Sequence, residues 1–178
     1  MREYFDRISS ETPVLCLEDT IREDKELEAD DAKPIDLSRV SELANRWSRF
    51  TQFNNCCGPI ESSIANTIQS HQTGQRVSIG KPVPNTLVYV LDDEMKPSPI
   101  GEKGSMWVGG AGVSRGYLNL PEKMMERYRR VPFLNDGRMM FNTGDLGQWR
   151  DDGQLDHLGR ADDQVKVKVN RVVSVGNR

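Results

Sequence analysis

At 178 residues, with 36% hydrophobic and 29% charged side chains, the chain has one domain's worth of sequence and enough apolar residues for a core, though it is polar for a compact domain. A formal net charge of −3 argues against a general binder of nucleic acid or anionic membrane, since both want a basic surface. No apolar run approaches the roughly 20 residues of a spanning helix, and the opening Met1-Arg2-Glu3-Tyr4-Phe5-Asp6 lacks an apolar signal core, so the expected compartment is the cytosol.

The first 35 residues are the least readable. Pro13-Val14-Leu15-Cys16-Leu17 suits a short buried strand, and Thr20 with Glu23 has capping-box spacing. Glu18 to Asp31 holds eight acidic residues against two basic ones and reads as a solvated helix or an acidic loop. From Asp36 to Phe50 the residues Leu37, Val40, Ala44, Trp47 and Phe50 recur at steps of three and four, which predicts an amphipathic helix with a core-facing stripe.

The period then changes. Leu87-Val88-Tyr89-Val90-Leu91 is β-branched and aromatic, and Met106-Trp107-Val108 suits a returning strand beyond the Pro97, Pro99, Gly101 and Gly104 turn region. Pro121 to Arg130 predicts a short helix with proline in its first turn, stopped by Pro132. Strands are expected at Met139-Met140-Phe141, at Gln148-Trp149-Arg150, and at Gln154 to Leu158 after the Asp151-Asp152-Gly153 turn. Val165, Val167 and Val169 alternate with Lys166, Lys168 and Asn170, the pattern of a half-buried strand.

The three cysteines, Cys16, Cys56 and Cys57, form neither a disulfide framework nor a zinc spacing, and His71 and His157 lie far apart, so reduced thiols and no metal site of His and Cys are expected. Cys57-Gly58-Pro59-Ile60-Glu61 reads in two ways. It is a plain loop, or a bend where a glycine lets a planar ligand approach and a glutamate at the rim holds Mg²⁺ beside phosphate. Gly109-Gly110-Ala111-Gly112 lacks the lysine and hydroxyl of a phosphate loop and reads as crowding at a strand end. Thr143-Gly144-Asp145 is either an Asx turn in a solvent loop or a tight turn whose carboxylate accepts both hydroxyls of a ribose. Arg160, on a second turn, is a donor fork that could reach the same sugar or a phosphate.

Taken together, several segments resemble the adenylation domain of nonribosomal peptide synthetases, within the adenylate-forming superfamily. They are Ile79-Gly80-Lys81-Pro82, Tyr89-Val90-Leu91-Asp92, Gly101-Glu102-Lys103-Gly104, Val108-Gly109-Gly110, Arg115-Gly116-Tyr117-Leu118-Asn119 and Phe141-Asn142-Thr143-Gly144-Asp145-Leu146. The wording is closer to fungal peptide synthetases than to acyl-CoA ligases, and the likeness runs from about residue 37 to residue 168. It implies roles. Asn55 and Cys57 to Glu61 match the motif along the adenine and phosphates, with Cys57 in place of the stacking aromatic, Ile60 in place of the phosphate-binding threonine, and Glu61 as the Mg²⁺ partner. Asp145 and Arg160 match the ribose-binding pair. Asp162 matches the hinge about which the family's small domain rotates.

The resemblance implies an α/β fold, expected here as part of a parallel, helix-layered sheet followed by a small antiparallel barrel-like region. The expected division is an acidic segment at 1–35, a partial adenylation core at 36–162, and a hinge remnant with a divergent tail at 163–178. No Ser/Thr/Gly-rich loop ending in lysine is found, nor the small domain's catalytic lysine, nor a phosphopantetheine-bearing carrier site, and the match collapses after Lys168 as in a frameshifted or mis-spliced end. The expectation is therefore a truncated, catalytically incomplete module with ATP or AMP and Mg²⁺ as cofactors and other peptide synthetase domains as partners, acting in secondary metabolism. The alternatives are a nucleotide-binding or scaffolding module without turnover, and an unrelated fold in which these bends are structural.

Overall fold

The computed structural model describes residues 37–161, 164–167 and 170–173, with side chains described from 40 to 161. Helix α1 (Leu37–Trp47) buries Val40, Leu43 and Ala44, as the apolar stripe requires. The stripe stops short of its expected length: Trp47 is 42% and Phe50 82% exposed, because the helix ends at Trp47 and the chain turns before Phe50. Strand β1 (Phe53–Cys57) pairs antiparallel with β2 (Thr67–His71), and β2 with the short β3 (Lys81–Pro82).

The second sheet carries the core. Strand β4 (Thr86–Leu91) returns as β5 (Gly104–Gly110), the hairpin expected around the proline- and glycine-rich connection. Alternation divides the pair between two faces. Val88, Val90, Met106 and Val108 meet Ile79 and Leu155 on one face, with Cys57 packed against them. Leu91 and Trp107 meet Val131 and Met140 on the other.

Helix α2 (Pro121–Arg127) is shorter than expected, because Tyr128–Arg130 leave it as strand β6 and pair with Met139–Phe141. The two strands expected around Thr143-Gly144-Asp145 are one, β7 (Met139–Trp149). Along one edge β7 pairs with β5; along the other it pairs first with β6 and then with β8 (Leu155–Arg160). Strands β9 (Gln164–Val167) and β10 (Asn170–Val173) pair with each other.

Every pairing among the described residues is antiparallel, so the parallel portion of the expected sheet is not found there. Parallel strands need a long crossover, whereas β4–β5 and β7–β8 are joined as hairpins. Two further bonds lock the sheets together: the Ile79 amide donates to the Leu155 carbonyl and the Leu155 amide to the Gly80 carbonyl, both at 2.9 Å. No described helix is long and apolar enough to cross a membrane.

Candidate functional site: a clamped carboxylate on a bulged strand

Thr143-Gly144-Asp145 lies within β7 and is not a free turn; the strand's pairing with both neighbours slips here, a bulge that re-aims the side chains. Gly144 takes φ +78°, a region that disfavours side chains. Local bonds set the shape: Thr143 Oγ1 donates to the Met106 carbonyl at 3.0 Å and accepts from the Asp145 amide at 3.0 Å.

The Asp151–Gly153 turn folds β8 back so that Arg160 stands opposite Asp145. Arg160 is therefore a strand residue, where a turn was expected. Its Nη1 donates to Asp145 Oδ1 at 3.0 Å and to the Thr143 carbonyl at 2.9 Å. His157 Nε2 lies 3.5 Å from the same carboxylate oxygen. Burial by itself would raise the Asp145 pKa, but the hydrogen bond and charge of His157 and the charge and hydrogen bond of Arg160 outweigh it and hold the carboxyl below its ordinary value. Asp145 is thus an ionised acceptor, 15% exposed, with its geometry fixed from two sides.

The first motif reaches the same place. Cys57, Gly58 and Pro59 line a narrow crevice together with Thr67, Thr143 and Asp145. The role expected of Gly58 needs correction. A Cβ there would stand 2.5 Å from the Ile64 carbonyl and 2.7 Å from the Asn66 amide, so the glycine makes room for the chain's own loop and not for a ligand. That loop is closed by the Asn66 amide on the Cys57 carbonyl at 2.8 Å and by the Ser62 hydroxyl on Asn66 Oδ1 at 2.6 Å.

Not every expected residue converges. Asn55 is buried, and its amide donates to the Ser78 carbonyl at 2.7 Å, a bond that ties β1 to the segment ahead of β3. Ile60 begins a single 3₁₀ turn (Ile60–Ser62) and is 79% exposed. Glu61 accepts from the Tyr117 hydroxyl at 2.8 Å. Burial, then the hydrogen bond and charge of Glu61, push the Tyr117 hydroxyl pKa up, so it stays a donor. Asp162 lies outside the described residues.

Among the described residues no group of three or more His, Cys, Asp and Glu side chains could hold a metal ion. Glu61 fits Mg²⁺ only in the manner of nucleotide sites, where one carboxylate shares the ion with phosphate oxygens and water. Sequence reasoning missed His157, Tyr117 and Arg127 as neighbours of the site. The Asp-Asp-Gly hairpin signal could have returned His157 to β7; nothing local marks Arg127, which arrives from α2 through tertiary packing. A separate groove of about 460 Å³, lined by Gly110, Arg115, Tyr128 and Met139 among others, takes in none of the expected site residues.

A model of the AMP-binding enzyme family matches residues 31–118. An adenylate-forming reductase of Coprinopsis cinerea is 59% identical over 130 residues, which are 73% of this chain and 13% of the relative. The chain belongs to the AMP-binding, adenylate-forming family. Among its other relatives, bacitracin synthase 3 of Bacillus licheniformis is 44% identical over 131 residues, 74% of this chain and 2% of that protein. The chain thus spans a small part of the length of the curated relatives it matches. Its fold is that of adenylation domains. It superposes on an artificially fused adenylation–PCP di-domain from Klebsiella oxytoca with a TM-score of 0.62 at 23% identity, covering 67% of this chain and 26% of that one. A peptide synthetase protein containing adenylation and PCP domains gives a TM-score of 0.69 at 23% identity, covering 79% and 29%.

Proposed function

We propose that this adenylate-forming chain supplies the ribose-facing wall of a module that activates an amino acid or related carboxylic acid with ATP. In that reaction a carboxylate oxygen of the substrate bonds to the α-phosphorus, the bond from that phosphorus to the bridging oxygen breaks, and pyrophosphate leaves. A carrier thiol then bonds to the acyl carbon of the acyl-adenylate, the bond from that carbon to the phosphate oxygen breaks, and AMP and the thiol proton leave, in secondary-metabolite biosynthesis. The observation that carries the reading is the Asp145–Arg160 pair at 3.0 Å, beside the crevice lined by Cys57 and Pro59.

The chain's own residues have limited tasks on this reading. Asp145 accepts the two ribose hydroxyls through its two oxygens, which an ionised carboxylate can do. Arg160 and His157 hold that carboxylate in place and keep it charged. Glu61, oriented by Tyr117, is the residue that would share Mg²⁺ with the phosphates, where the ion would offset phosphate charge. Asp162 acts as the hinge ahead of the family's small domain. The reaction needs a phosphate-cradling loop and a lysine that these residues do not include, so the 178 residues bind nucleotide without completing turnover, and carrier and other synthetase-type domains are the partners. The 59% identity to a fungal reductase, against 44% for the bacitracin synthase, favours a reductase-type parent over a multi-module synthetase.

Two residues favour a second reading, a nucleotide-binding module with no turnover in any context. Cys57 has no ring face to stack on adenine and Ile60 has no hydroxyl to offer a phosphate. Calorimetric titration with ATP and AMP tests the shared basis of both readings, with binding expected to be lost in Asp145→Ala; a chain that binds neither nucleotide, or an Asp145→Ala variant that binds normally, would overturn it. Amino-acid-dependent pyrophosphate exchange by a chain joined to the missing elements separates the two, and exchange by residues 1–178 alone would refute incompleteness.

A further inference from the structure

His71 closes β2, outside the motifs that carry the family resemblance. It is 4% exposed, with the Phe53 ring edge-on at 6.2 Å between centroids. Its one side-chain hydrogen bond among the described residues crosses to helix α1, where Nε2 lies 3.3 Å from Asn45 Oδ1. A neighbour fixes the proton. The Gly74 amide lies 2.6 Å from the same oxygen and can only donate, so Asn45 presents its oxygen there and His71 donates from Nε2. The neutral ring then keeps a bare Nδ1, which is buried and meets no hydrogen-bond partner among the described residues.

A second contact ties the same two pieces together: the Ser48 and Thr73 hydroxyls share a hydrogen bond of 2.8 Å. Asn45 and Ser48 thus fasten the C-terminal end of α1 to the end of β2 and the turn after it, in addition to the burial of Val40, Leu43 and Ala44. Charged residues on the surrounding elements leave the ring alone. Glu42 and Arg46 on α1, Arg49 beyond it and Lys81 on β3 are exposed, Arg76 after the turn is held 2.7 Å from Asp156, and β1 has none. Burial is the one cause that acts on the pKa of the ring, lowering it from the ordinary 6.5, and no carboxylate offsets a charge there.

We propose that His71 is a pH-sensitive latch: as the neutral ring it fastens α1 to β2, and as the cation it releases the helix. Protonation adds a donor and a charge at Nδ1, where the docked fold offers no acceptor, whereas the undocked ring takes up the proton in solvent. The docked ring holds the lower pKa, so docking is at full strength above about pH 6.5 and weakens as pH falls below it toward the docked value. Phe53 stands opposite His71 in the β1–β2 ladder and Cys57 stands opposite Thr67 at its other end, so the latch sits on the hairpin that carries two crevice residues.

The test follows amide hydrogen exchange of the 178-residue chain from about pH 7.5 to about pH 5.5, with wild type beside His71→Gln, whose side-chain amide can still donate to Asn45 but does not titrate. Corrected for intrinsic exchange, protection of the amides of residues 44–47 is expected to fall about tenfold in wild type and to stay level in His71→Gln. Tenfold is the factor by which an exposed ring favours its charged form about one unit below its ordinary pKa. Protection of α1 that ignores pH in wild type, or that falls equally in His71→Gln, overturns the latch. Equal protection of α1 and β5 also overturns it, because the helix then leaves only with the whole fold. The ring proton shifts of wild-type His71 give a check that needs no variant: a titration midpoint below 6.5 supports the latch, and a midpoint at or above 6.5 overturns it.

Discussion

Replacing Asp145 by asparagine keeps the shape of the side chain and removes its charge. The pair it breaks is close and largely shielded: Arg160 Nη1 sits 3.0 Å from Asp145 Oδ1, with the side chains 27% and 15% exposed. At that distance the attraction of two unit charges is about 5–6 kcal/mol in an effective dielectric near 20, and desolvating both groups offsets most of it. Hydrogen bonds to charged groups contribute about 1.5–3 kcal/mol net, so Asp145→Asn is expected to lose about 2 kcal/mol at neutral pH. The pH dependence has a definite sign. The folded-state pKa of Asp145 is depressed, so its contribution is fully present above the unfolded value near 3.9 and disappears as pH falls through the folded value. Urea unfolding followed by tryptophan fluorescence suits the measurement, since Trp107 is 3% exposed in the core. The gap between wild type and variant is expected to be full at pH 7 and to close as the solution is acidified below about pH 4. Equal stabilities at pH 7, or a gap that acid leaves unchanged, would refute the ionised, clamped carboxylate.

Further perturbations probe the neighbouring geometry. Gly144→Ala forces a side chain onto a residue at φ +78° and into two guanidinium groups; a loss of about 1–2 kcal/mol from the backbone alone is expected, and an unchanged thermal midpoint would exclude the bulge geometry. Ile64 is β-branched at φ +68° yet 72% exposed, so Ile64→Asn is expected to stabilise by about 1 kcal/mol in the same denaturation assay, and destabilisation would count against that conformation. Trp47 and Phe50 expose apolar surface close together in sequence, so Phe50→Ser is expected to reduce association in light scattering; a wild-type chain that is already a clean monomer would remove the premise.

The alternation of Val88 and Val90 with Tyr89 and Leu91 made the β4–β5 hairpin legible, because neighbouring strand residues must face opposite sides. The α1 stripe was legible only as far as the helix lasts; Phe50 kept the period in sequence after the backbone had left the helix. The length of β7 was not legible, because Thr143-Gly144-Asp145 has turn chemistry and a bulge accommodates it without ending the strand. Asp145 and Arg160 were nominated by family resemblance and not by their spacing, which would fit two independent turns. Arg127 and Tyr117 were out of reach for a physical reason: their importance lies in what α2 and the segment before it pack against. Gly58 shows the opposite failure, since its residue type was read correctly as a close approach while the approaching group is the Ile64 carbonyl.

The three ends of the site are unequally equipped, and this fixes how any binding must be measured. On the proposed reading, the sugar end keeps a charged acceptor clamped by Arg160 and His157. The base end has Cys57 where a stacking ring is expected, a deficit of about 1–3 kcal/mol for a base. The phosphate end has an exposed Ile60 where a hydroxyl is expected, a further deficit of about 1.5–3 kcal/mol if the bond is to a charged oxygen. Together these lower affinity by roughly 10²–10⁴-fold, enough to bring a micromolar site to dissociation constants of about 0.1–10 mM. Titrations confined to micromolar nucleotide would therefore miss a functioning ribose wall. Adenosine carries the ribose and no phosphate, so it suffers the missing stack but not the missing hydroxyl, and its titration at millimolar concentration is the one that isolates the ribose wall.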